Sequence, residues 1–72
     1  MKPTRALPAL DAPARIWHFG GESETATIVE LRDGGRSIVV VDAQGERREF
    51  TLRRATAAFV ARGAQHSPRL EF

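Results

Sequence analysis

TATIVELRDGGRSIVVVDAQGERREF, residues 25–50, sets three β-prone runs between two turn signals, and the way those runs pair decides the fold. The run 25–32 is rich in β-branched residues and bounded by polar turn formers, which reads as a strand. Gly34-Gly35 marks a hairpin, because the favoured tight turns need positive φ. The run 37–42, SIVVVD, is apolar without alternation and predicts a central strand covered on both faces. In Asp42-Ala43-Gln44-Gly45-Glu46 the glycine stands third in the loop, the place where a type I turn followed by a left-handed residue forms a bulge. That turn pairs Val40 with Arg48 and Ile38 with Phe50. The glycine pair sets Leu31 against Ile38 and Val29 against Val40. One face then gathers Val29, Leu31, Ile38, Val40 and Phe50, whereas a one-residue slip would turn Phe50 away from it.

Toward the C-terminus the period changes. In residues 52–62, LRRATAAFVAR, a helical turn places Leu52, Thr56, Phe59 and Val60 in one arc, and alanine at 55, 57, 58 and 61 favours helix. Gly63 supplies a C-cap, and Thr51 an N-cap without a capping box, since Arg54 stands where Glu or Gln would complete it. The expected fold class is α+β: a small antiparallel β-meander of three to four strands with one C-terminal amphipathic helix packed on the face holding Phe50. A small SH3-like or half-open β-barrel, with residues 69–72 as the last strand, is the alternative.

Toward the N-terminus, Arg15-Ile16-Trp17-His18-Phe19 is a short strand closed by Gly20-Gly21. Trp17 and Phe19 fall on one side of it and Ile16 and His18 on the other. The two aromatics are expected to cover the second sheet face against Ile28, Val39 and Val41. Residues 1–14 hold three of the four prolines and no periodicity, so they read as a flexible arm ahead of a single domain at 15–72. At 72 residues the chain is near the lower limit for a domain without staples. It has no cysteine, which points to a reducing, cytoplasmic setting. Neither a signal peptide nor an apolar run of the ~20 residues that span a bilayer is present.

Function is less constrained. The only lysine is Lys2, no phosphate-binding loop occurs, and no serine or threonine has a base and orienter beside it, so no enzyme, cofactor or small-molecule substrate is expected. His18 and His66 stand apart, which argues against a metal site. Charge placement is the best hint. Residues 22–46 carry six acids and two arginines, whereas residues 47–72 carry six arginines and two acids. Arg47, Arg48, Arg53, Arg54 and Arg62, with Trp17 as a stacking ring, are the candidate binding residues. A net charge of only +2 is poor support for a dedicated polyanion binder. A protein-interaction module, binding an unknown partner or its own copy, therefore ranks ahead of a small DNA- or RNA-binding accessory protein.

Overall fold

The computed structural model describes residues 8–64 and 67–72; residues 1–7 of the expected arm, and His66, lie outside them. Six strands follow in chain order: β1 (Pro13–Trp17), β2 (Ser23–Arg32), β3 (Ser37–Val41), β4 (Arg47–Arg53), β5 (Ala58–Ala61) and β6 (Arg69–Glu71). Each pairs antiparallel with the next. The last returns to the first, setting Trp17 opposite Arg69, Ile16 opposite Leu70 and Arg15 opposite Glu71, so the sheet closes into a barrel. This overturns the expected α+β fold, an open β-meander roofed by a helix. The SH3-like barrel alternative is nearer, with closure complete.

The correction falls on residues 52–62. They form the end of β4, a tight turn and β5, with Leu52 opposite Phe59 and Phe50 opposite Ala61. Within the turn, the amides of Thr56 and Ala57 donate to the carbonyl of Arg53 at 3.3 and 2.7 Å. An eleven-residue helix is marginal in water unless packing holds it. As a strand, the same residues wall off the gap between β4 and β6, whose backbone edges a helix would leave unpaired.

The β3–β4 hairpin has the register expected of its bulged turn. Ile38 faces Phe50 and Val40 faces Arg48. Gly45 sits at φ +85°, and the Asp42 amide donates to the Glu46 carbonyl at 2.8 Å. Between β2 and β3, Leu31 does pair with Ile38, but a β-bulge between Ile28 and Glu30 displaces Val29 and puts Ile28 opposite Val40. Ile28 therefore enters the core in place of Val29. That core is Ala14, Ile16, Ala26, Ile28, Ile38, Val40, Phe50, Phe59 and Leu70, contributed by all six strands. Ala14 belongs to it because β1 starts ahead of residue 15. The backbone of Asp11 and Ala12 also bonds Ile28 on β2, at 2.7 and 3.0 Å.

The outer wall is not bare. Val39 stands between Glu30 on β2 and Glu49 on β4, and is only 4% exposed. Arg32 hydrogen-bonds Glu30 at 2.6 Å and forms an ion pair with Glu49 at 3.6 Å, linking the residues on either side of the valine. This is how an apolar strand residue on the outside of a barrel stays dry: long charged side chains lay their stems across it. Trp17 and Phe19 do not cover this wall, as the sequence led one to expect. Trp17 lies half-buried on the β1–β6 face, and Phe19, in the following turn, is 91% exposed.

Candidate partner-binding surface

The barrel has two unlike ends. The upper end carries the β1–β2 and β3–β4 turns, and the lower end carries the β2–β3 and β4–β5 turns with residues 8–12. At the upper end the inward positions are polar and satisfied. Asp42 is buried and accepts hydrogen bonds from the amides of Gln44 and Glu46, both at 2.9 Å, and from Arg48 Nε at 2.6 Å. Arg48 beside it, and then the Glu46 amide, hold the Asp42 carboxyl below its ordinary range, outweighing the desolvation that pushes the other way. Next to it, His18 Nε2 and Glu24 Oε2 are 2.6 Å apart, and Glu24 Oε1 accepts from the Ala43 amide at 3.2 Å. These contacts tie the two upper turns together. Glu24 is thereby the clasp between turns, with His18 bonded to its other oxygen, and no group of three or more metal-ligating side chains forms among the described residues.

The five arginines singled out in sequence do not converge. Arg47 reaches Glu30 at 3.0 Å, on the outer wall. Arg48 is committed to Asp42, with Glu46 at 3.9 Å. Arg62 bonds Glu49 at 3.2 Å. Arg32, with Arg47 assisting, keeps Glu30 ionised below its ordinary range. Trp17 bonds none of these five arginines. Its Nε1 donates to Glu71 at 2.9 Å, and the guanidinium of Arg69 lies 6.0 Å from its ring centroid, within cation–π range. Arg15 donates to Ser23 at 2.9 Å.

Arg36, Arg53 and Arg54 are different. Among the described residues no carboxylate pairs with any of them, and all three are exposed at the lower end. The backbone sets them side by side. The Leu52 amide donates to the Arg36 carbonyl at 2.9 Å, Arg53 ends β4, and Arg54 opens the turn closed by the Arg53 carbonyl. Three of the four exposed large apolar side chains stand at the same end: Leu10 at 59%, and Leu31 and Leu52 each at 37%. A groove of about 340 Å³ opens past the 54–57 turn beside β5 and β6, lined by Phe59, Leu70 and Phe72 together with Arg69 and Glu71. The Phe59 and Phe72 rings meet edge to face there at 5.5 Å.

Sequence reasoning thus found Arg53 and Arg54 but placed them on a helix, and it assigned Leu31 and Leu52 to the interior. One signal did mark them. Each leucine takes the last inward position of its strand and is followed at once by charge, Arg32-Asp33 and Arg53-Arg54, as befits a barrel mouth. No helix among the described residues is long and apolar enough to cross a membrane. No family model, curated protein or solved structure matches the chain.

Proposed function

We propose that this chain is a non-enzymatic protein-interaction module that binds its partner through the lower rim, and that it works in the cytoplasm, as its lack of cysteine suggests. One observation carries the reading: the described arginines without a side-chain partner and all three exposed leucines among the described residues occupy the same end of the barrel. Arginine is among the residues that carry protein interfaces, and exposed apolar side chains gathered at one site mark them.

The competing nucleic-acid reading loses support from the ion pairs. With Arg32, Arg47, Arg48 and Arg62 paired to carboxylates, Arg36, Arg53 and Arg54 are the described cations left together at one end of the barrel, and three phosphate contacts there give a salt slope of only about −2.7 on duplex DNA. The exposed leucines have no role against a phosphate backbone. Strand-to-strand pairing between copies loses support as well, because closure removes the long free edges on which it depends.

The test is selection of a twelve-residue peptide display library on the full chain, with Leu31→Ser/Leu52→Ser as the comparison. Binders that hold the wild type and lose at least about tenfold in affinity for the double variant are expected, a loss of about 1.4 kcal/mol. Anisotropy with a labelled oligonucleotide supplies the opposing arm. Saturable, steeply salt-dependent binding of the oligonucleotide, without any rim-dependent peptide, would overturn the proposal.

A further inference from the structure

We infer that the partner at the lower rim is an acidic segment of a different protein, with carboxylates flanking bulky apolar side chains, and not a second copy of this chain. The inference rests on the interaction role proposed above and adds the chemistry of the partner. All nine Asp and Glu side chains of the chain lie in the described residues. Glu24, Glu30, Asp42 and Glu49 are taken by His18, Arg32, Arg47, Arg48 and Arg62. Glu46 approaches Arg48, and Glu71 accepts from Trp17. Asp11, Glu22 and Asp33 remain. Glu22 is alone in the upper β1–β2 turn, while Asp11 and Asp33 stand at the rim's own end, in residues 8–12 and the β2–β3 turn. Docked rim to rim, a second copy would bring Asp11 and Asp33 but would also set its own Arg36, Arg53 and Arg54 against these three, so it offers no group of carboxylates in excess of its cations.

Such a group must come from another chain. Arginine's fork pairs best with carboxylate or phosphate, and the choice between them is made by the neighbours. Here the neighbours are Leu10, Leu31 and Leu52, with the groove over Phe59 and Phe72 beyond the turn. An apolar side chain entering that groove loses its water, and carboxylates on either side reach the guanidinium groups. The molecule is about 24 Å across. An extended segment crossing it needs roughly seven residues at ~3.3 Å each. Electrostatic steering by the rim would speed encounter, and the leucines would hold the complex.

The experiment starts from synthetic, labelled versions of the rim-dependent peptides recovered by the selection, titrated against the full chain by anisotropy. Recovered sequences are expected to be rich in Asp and Glu interleaved with Leu, Ile or Phe. Replacing their carboxylates by Asn and Gln is expected to weaken binding at least tenfold, as is Arg53→Glu/Arg54→Glu in the protein. Arg53→Gln/Arg54→Gln, the milder pair, should give an intermediate loss at unchanged Tm. Rim-dependent peptides that bind equally well with Asn and Gln would overturn the acidic partner and leave the interaction role standing. An absence of any rim-dependent peptide would overturn both. Sedimentation showing a dimer that Arg53→Glu/Arg54→Glu dissolves would replace the foreign partner by a second copy. Tighter binding of a single-stranded oligonucleotide than of any peptide, lost in the same variant, would replace it by a nucleic acid.

Discussion

Asp42 shows how one side chain serves turn, core and charge together. It organises the β3–β4 turn through two amides, occupies an inward position at the upper end, and neutralises Arg48. Its carboxyl is ionised in the folded barrel to a lower pH than its ordinary value of 3.8. A group with a depressed folded pKa lends stability that is present above its unfolded value and lost as pH falls through the folded one. The melting temperature should therefore hold through neutral pH and fall below about pH 4, with Glu30 acting in the same direction. Asp42→Asn should lower the neutral plateau and flatten the acid limb, which a series of circular-dichroism melts reads directly. Phe50 tests packing instead. It is fully buried, and truncation to alanine should cost about 3–5 kcal/mol. For a chain this short, whose total is roughly 4–11 kcal/mol at ~0.05–0.15 per residue, that is about a quarter or more. Urea unfolding should show a lower midpoint at unchanged slope.

The turns decide which elements form, and they differ in how far sequence reveals them. The Asp42–Glu46 loop was legible because its glycine position permits one geometry that also gathers the apolar residues on a single face. Gly45 has no atom within 4 Å of where a Cβ would stand, so Gly45→Ala measures backbone conformation alone and should cost about 1–2 kcal/mol. The bulge at Val29 left no such mark, since no glycine announces it, and so Ile28 and Val29 exchanged places. The turn at 54–57 was hidden more deeply. Its left-handed residue is Ala57, at φ +56°, in a run of good helix formers with no glycine before Gly63. Four residues of strand are too few to show a period of two, and local preference then points to helix. Ala57→Gly relieves the left-handed strain and gives back part of the gain as backbone entropy. A net stabilisation of about 0.5–1 kcal/mol, a rise of a few degrees in melting temperature, is expected.

Closure governs the molecule as a whole. With β2, β3, β4 and β5 paired in turn inside the closed sheet, the sequence's acidic middle and basic end are no longer separate regions. β2 and β4 flank β3, which brings Glu30 and Glu49 within reach of Arg32, Arg47 and Arg62. The polarity along the chain was plain in the sequence, but its cancellation in space depends on strand order, which no local pattern encodes. What survives cancellation is the lower rim, and it exists only because residues 52–61 turn back as a strand. Two-dimensional NMR of the full chain tests this most directly. Cross-strand contacts linking Leu52 to Phe59, Phe59 to Leu70 and Trp17 to Arg69 are expected. Amide contacts three residues apart running through 52–62, with none between β1 and β6, would contradict the closed barrel and remove the rim with it.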